Sequence, residues 1–546
     1  MVELTEELRR EIGQHFVFGF HGHEVSPEIE TLIRDYYVGN IILMKRNVKS
    51  AEQVHTLTQR LQTIAKEAGH SRPLMIGTDQ ENGLVSAFSL AQSQEAGTQF
   101  PGAMAMAATG SPALAEQISE ATARELKYVG INWAYSPVAD VNSDPRNPVI
   151  GVRSFGDDPK QVSEYVRAVC KGLTAGGVAP SPKHFPGHGD THVDSHLALP
   201  TIDKPLSSLS ALELIPFEAA ISTGTASIMT GHMALPRLTN SDRPASLARE
   251  VTHDLLREKM GYSGVVVTDC FEMEAVAARE GGVSRAAADA IVAGADVVMV
   301  CHQFERHVGA VEEVCKAVER GEIDVEELRA STERIGRLKE QFAEGWEGEK
   351  FEREEWKRLK AANGELSRDA YDKCVAVVRE IPFAVDASGP IVVFTPRMES
   401  INLAIDDADG VLRTADGLLR NTAGPSYVGF AKGLNADLHV VYGDGEPEVD
   451  AEKVKGASLV VFVTRNAERA RWELGWLGEV VRLRREVDGD LARVVVVMSC
   501  GPYDFLGEDC VLGCVACFEY TAPALERAGR VVLGLGSGVG RVPVEI

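Results

Sequence analysis

Positive charge is scarce in this chain, and its cysteines are few and unpatterned. The 546 residues carry 56 lysines and arginines against 80 aspartates and glutamates, a formal net charge of −24. Such a surface repels phosphate backbones and anionic lipid headgroups, which argues against nucleic-acid and membrane partners. No uninterrupted apolar run approaches the ~18 residues that a membrane span needs. The opening residues Met1 to Arg10 lack the basic start and apolar stretch of a secretory signal. Nine cysteines, an odd number at irregular spacing, do not read as a disulfide framework. Cytoplasm is therefore the expected location. No internal repeat or low-complexity tract stands out.

What is present is an ordinary globular composition, 44% hydrophobic and 25% charged, in a chain too long for one core. Short apolar runs alternate with helix-like segments through the first ~345 residues, the pattern of repeated βα units. Candidate strands fall at residues 16–20, 40–44, 74–79, 131–137, 178–185, 227–233, 265–269 and 296–300. Helical stretches at 50–68, 111–129, 159–175 and 285–293 lie between them. Eight such units predict a (β/α)₈ TIM-like barrel over residues 1–345. Residues 346–379 are charged and helical, and read as a linker and connecting helix. The alternation then restarts, with strands expected at 390–395, 436–442, 458–464, 493–499 and 510–518. Residues 380–546 are accordingly expected to form an α/β sandwich domain with a mainly parallel sheet.

Polar residues collect at the ends of the barrel strands. Asp79 closes the third, Asp140 and Asn142 follow the fourth, and Lys183 and His184 close the fifth. His232 ends the sixth strand and Asp269 the seventh. Barrel chemistry sits at that face. The densest stretch runs from Lys183 to His196, with one lysine, four histidines and two aspartates around Pro186, Gly187 and Gly189. The breakers hold it as a loop, so its polar groups can converge. With Asp269 it suggests an enzyme forming a covalent bond to a carboxylate while a histidine moves the proton.

Each feature also has a plainer reading. His184, His188, His192 and His196 recur every four residues, but the proline and glycines forbid the helix that would align them on a metal. Asp194 beside His196 reads as an orienting carboxylate and a proton-transfer imidazole, against the plainer reading of a structural loop. Asp269 reads as a nucleophile or as the N-cap of a following helix. Cys510-x₃-Cys514-x₂-Cys517 has iron–sulfur spacing but lies in an apolar run, so these read as core cysteines. Cys270 has no paired base in sequence and reads as packing. The glycines from Gly534 to Gly540 do not lie between a strand and a helix, so the dinucleotide reading fails.

Residues 183–196 followed by Pro200 resemble the K-H-F-P-G-H-G-x-x-x-x-D-S-H signature of glycoside hydrolase family 3, in its β-N-acetylglucosaminidase branch. Supporting phrases are Gly77 to Glu81, Phe100 to Met104, Ser136 to Asn142, Arg153 to Gly156 and Gly231 to Met233. The likeness spans most of residues 10–345. It implies a retaining exo-β-N-acetylglucosaminidase with Asp269 as nucleophile, His196 as general acid/base and Asp194 as its partner. Asp79, Arg153, Lys183 and His184 would hold the sugar's hydroxyl and acetamido groups. It implies a small glycoside or oligosaccharide substrate, no cofactor, no metal, and a monomer or homodimer. Retaining glycosidases usually pair two carboxylates, and a histidine in the acid/base role departs from that scheme.

Two alternatives stand beside this reading. A neutral imidazole would let phosphate attack the glycosyl intermediate without meeting a second carboxylate, which is a β-N-acetylglucosaminide phosphorylase. A non-catalytic sugar-binding protein is the other. Bacterial members commonly read D-Q-E-G-G-R-V-x-R, whereas Leu84 and Ala87 here replace the two arginines. That favours neutral chitin-type oligosaccharides or aryl glycosides over anionic muropeptides.

Overall fold

The computed structural model describes residues 2–89, 96–195, 197–343, 345–346, 348, 350–398, 423–445, 447–505 and 512–546. Eight strands form one sheet: β1 (Phe16–Phe18), β2 (Asn40–Ile42), β3 (Met75–Thr78), β4 (Trp133–Ala134), β5 (Ala179–Pro180), β6 (Ser227–Thr230), β7 (Val265–Cys270) and β8 (Val297–Val300). Their order is β5-β4-β3-β2-β1-β8-β7-β6, parallel at every step. The seam between β5 and β6 is closed by residues 182–185. There the Met229 amide donates to the Pro182 carbonyl at 2.9 Å, and the Phe185 amide to Met229 at 2.8 Å. The result is the parallel barrel that the alternation predicts.

Period-2 patterning sets what fills it. In β7, Val265 and Val267 point inward against Met75, Trp133 and Met229, while Val266 joins the outer layer under the helices. The helix Val325–Phe342 plugs one end through Ile335, Leu338 and Phe342. Outer helices start at side-chain caps: Ser50 for Ala51–Glu67, Ser111 for Pro112–Tyr128 and Asp158 for Pro159–Ala175. β4 and β5 are far shorter than expected because Pro137, Pro180 and Pro182 have no N–H to give a ladder.

The helix Arg353–Cys374 leads into a second sheet of β9 (Ala376–Arg379), β10 (Ile391–Pro396), β11 (Leu438–Tyr442), β12 (Leu459–Thr464), β13 (Val494–Met498) and β14 (Gly513–Ala516). It is parallel except for β9, which runs antiparallel along β14. Residues 376–379, expected within the linker and connecting helix, form this edge strand. The β-branched pair Val377–Val378 pairs with an open sheet edge. Alternate residues of β10, β12 and β13 bury against helices on opposite faces: Val392, Val460 and Val494 on one, Val393, Val461 and Val495 on the other.

The second sheet packs against the loop end of the barrel. Leu84, Met104 and Val152, from segments that follow the barrel strands, share an apolar cluster with Tyr503 and Val544. Glu519 accepts a 2.7 Å bond from the Gly102 amide, and Asn142 donates to the Tyr503 hydroxyl at 2.9 Å. Among the described residues no helix is long and apolar enough to cross a membrane.

Candidate active site

At the C-terminal ends of the barrel strands lies a cavity of about 570 Å³, within the range of small-ligand clefts. Asp79, Glu81, Arg153, Lys183, His184, His188, Ser195 and Asp269 all line it. Four of the residues expected from sequence to hold sugar, Asp79, Arg153, Lys183 and His184, therefore share one space with Asp269. Asp194 is buried beside Ser195. His196 lies outside the described residues.

The floor is an ionic lattice. Lys183 Nζ sits 2.7 Å from both Asp79 and Glu81. Arg153 grips Glu81 through Nε at 2.9 Å and Nη2 at 2.8 Å. Burial pushes the Glu81 carboxyl up, but Arg153 and Lys183 outweigh it and hold it at about 2. Burial pushes the Lys183 ammonium down, but the Asp79 and Glu81 carboxylates outweigh it and raise it. The charges thus offset one another, and Asp79, its side chain about a third exposed, turns an acceptor toward the cavity.

Asp140 organises the signature loop. It accepts His184 Nδ1 at 2.7 Å and the backbone amides of His184 at 3.1 Å and His188 at 2.6 Å. A carboxylate can only accept, so Nδ1 carries the proton of this contact. His188 ties the loop downstream, its Nδ1 on Thr191 at 2.8 Å and its Nε2 on Ser195 at 3.1 Å. Burial lowers His188 to about 4, so it is a neutral strut. Two glycines allow this path. Gly187 has φ +128°, and a Cβ on Gly189 would lie 1.6 Å from the Val141 carbonyl oxygen.

Asp269 sits at the end of β7 and does not cap the next helix: the N-cap of Glu274–Ala277 is Met273. His232 braces this strand end, with Nε2 3.0 Å from the Cys270 carbonyl and Nδ1 2.9 Å from Ser246. Leu84 and Ala87 form an apolar stretch of the wall.

Sequence reasoning passed over several members. Glu81 lies two residues beyond Asp79, and Asp140 follows the fourth strand; neither carries a local signal of the partners it takes up in the fold. Cys270 was read as packing, yet it lines the cavity with Glu272, Cys301 and His302. Hydrogen bonding to Cys301 and to His302 pulls its thiol below the usual range despite burial. His302 Nδ1 is 2.8 Å from Glu272, and bonding to Cys270 and Glu272 raises the imidazole to about 9. Of the cysteines with iron–sulfur spacing, Cys514 and Cys517 are buried, and Cys510 lies outside the described residues. His192 pairs with Asp144 at 3.1 Å, apart from the bonds that His184 and His188 make.

Residues 7–338 match the family description "Glycosyl hydrolase family 3 N terminal domain". The chain is 28% identical over 483 residues to "Beta-hexosaminidase A" of Pseudoalteromonas piscicida, covering 84% of this chain and 76% of that protein. A "Beta-hexosaminidase" of Xanthomonas oryzae pv. oryzae is 33% identical over 291 residues, 52% of this chain and 83% of the relative. Among solved structures, a glycoside hydrolase family 3 β-N-acetylglucosaminidase from Paenibacillus sp. str. FPU-7 superposes with a TM-score of 0.83. It is 31% identical, over 98% of each chain. A fungal multi-domain family 3 β-N-acetylglucosaminidase gives 0.87 at 34% identity over 99% of this chain. This chain spans 61% of that fungal protein's length.

Proposed function

The chain belongs to glycoside hydrolase family 3 and is a glycoside hydrolase, and from that premise we propose that it is a retaining exo-β-N-acetylglucosaminidase. The observation that carries this reading is the shared cavity of Asp269, Lys183, Asp79 and Ser195. It is supported by the names of the relatives, which are β-hexosaminidases and β-N-acetylglucosaminidases.

In this reading the Asp269 carboxylate attacks the anomeric carbon and the bond to the leaving oxygen breaks. His196 gives that oxygen a proton, and Asp194 holds the imidazole in the donating orientation. A water then attacks the glycosyl–Asp269 ester, His196 takes its proton, and Asp269 is released as the carboxylate. Asp79, Arg153, Lys183 and His184 hold the sugar's hydroxyl and acetamido groups. Asp79 and Glu81 pair with Lys183 and Arg153, so on this floor a neutral sugar meets charges that already have partners. The apolar wall at Leu84 and Ala87 favours a neutral leaving group.

Proton NMR of the first product tests the proposal. A β-configured N-acetylglucosamine from p-nitrophenyl β-N-acetylglucosaminide is expected. An α-configured sugar overturns the retaining route, and no turnover overturns the activity. Repeating the reaction in phosphate decides the acceptor, since accumulation of N-acetylglucosamine 1-phosphate identifies a phosphorylase.

A further inference from the structure

Cys270, Glu272 and His302 form a donor cluster that the glycosidase steps leave unused. Cys270 ends β7, Glu272 follows in the next loop, and His302 leaves the adjacent strand β8, where Met299 pairs with Cys270. One ligand atom from each lies within 4.8 Å of the others. The Cys270 sulfur is 4.0 Å from Glu272 Oε2, and His302 Nδ1 is 2.8 Å from the same oxygen. Glu272 is pinned by the backbone amides of Cys301 at 2.9 Å, His302 at 2.6 Å and Gln303 at 3.1 Å. All three side chains line the cavity that holds Asp269.

We propose that Cys270, Glu272 and His302 bind a borderline-soft divalent cation of the Zn²⁺ class, and that the bound ion obstructs the sugar cavity beside Asp269. Thiolate, imidazole and carboxylate are the donor types such an ion takes, at about 2.3 Å from sulfur and 2.0–2.2 Å from nitrogen and oxygen. Tetrahedral binding at those lengths needs donors about 3.3–3.7 Å apart, and the sulfur–oxygen pair at 4.0 Å and the nitrogen–oxygen pair at 2.8 Å bracket that spacing. Three protein ligands leave a fourth position facing the cavity, the open arrangement that admits water or a substrate oxygen. Binding displaces the proton from the imidazole and any proton on the thiol into solvent. Thiolate and carboxylate then balance the ion's charge, and no electron is transferred. The cluster is held by strand-end backbone, so its donors are already converged.

The test uses the full chain with the metal alone. Co²⁺ is expected to give a near-ultraviolet thiolate-to-metal absorption band, and calorimetric titration with Zn²⁺ is expected to lose at least about tenfold in affinity in Cys270→Ser and in His302→Gln, the smallest loss that even an outer-shell change costs. Asp144→Asn, in a separate cluster with Asp190 and His192, should leave this affinity unchanged. Absence of the cobalt band in the unaltered chain overturns the site without relying on any variant's folding. Equal Zn²⁺ affinity in all three variants does the same. Zn²⁺ should also slow aryl-glycoside cleavage, with recovery on adding EDTA. Binding without such inhibition overturns the obstruction. The spectroscopic and calorimetric readings are independent of whether the glycoside reading holds.

Discussion

Arg153 and Glu81 face each other through two near-parallel N–H···O bonds of 2.9 and 2.8 Å, with both side chains buried. The pair ties the 3₁₀ turn Gly151–Arg153 to the chain just beyond β3. A bidentate pair of this kind fixes direction as well as distance.

Removing one partner leaves the other as an uncompensated buried charge. Glu81→Ala is expected to cost about 3–5 kcal/mol of stability, and to raise KM because Lys183 loses one of its two carboxylates. Urea unfolding followed by tryptophan fluorescence reads the first effect, and initial rates on the aryl glycoside read the second. A change within about 0.5 kcal/mol, the level of an ordinary surface substitution, would contradict the account.

Asp269→Ala should abolish turnover of every glycoside, a loss of at least about a thousandfold in kcat. In the proposed mechanism the carboxylate is a reactant, so improving the leaving group should not restore the rate. Stopped-flow with a dinitrophenyl glycoside is the sensitive version of the assay.

His196→Ala should separate substrates. Natural disaccharides need protonation of the leaving oxygen and are expected to lose about 10²–10⁴-fold. Activated aryl glycosides should lose far less, and added azide should speed them as an external nucleophile. Equal losses on both classes would remove His196 from the acid role.

A pH dependence arises in the second sheet. Burial raises the Glu473 carboxyl to about 8 from an ordinary 4.5. It accepts bonds from the Arg465 amide at 2.7 Å and the Tyr442 hydroxyl at 3.2 Å. A raised carboxyl contributes stability that is fully present below 4.5 and lost as pH rises toward 8. Glu473→Gln cannot ionise, so its melting temperature relative to the unaltered chain should climb between pH 5 and 8. Calorimetry at several pH values checks the slope; a flat difference contradicts it.

The barrel was legible because βα alternation and strand-end polarity are local signals, readable without knowing what touches what. The same polarity marked Asp79, Lys183, His184 and Asp269, which line one cavity. Pairings across the chain were not legible. Nothing in sequence couples Glu81 to Arg153, which lie 72 positions apart, or Cys270 to His302 on the neighbouring strand. Cys270 was read as packing for that reason. Residues 376–379 were read as helix because the charged stretch before them is helical, and the sheet edge that recruits them is nonlocal. The four-residue histidine spacing carried no information once the loop's glycines were taken into account.

Residues 182–185 carry both the seam of the barrel and two side chains that line its cavity, Lys183 and His184. Their backbone bonds to the sixth strand on one side, and on the other the Lys183 amide bonds to Pro137 and its carbonyl to the Ala139 amide. Lengthening or cutting this segment would unstitch the cylinder before it altered selectivity. Side chains here can be exchanged, but the main chain cannot be re-routed. Room to reshape the cavity without disturbing this seam lies in its wall at residues 84–87.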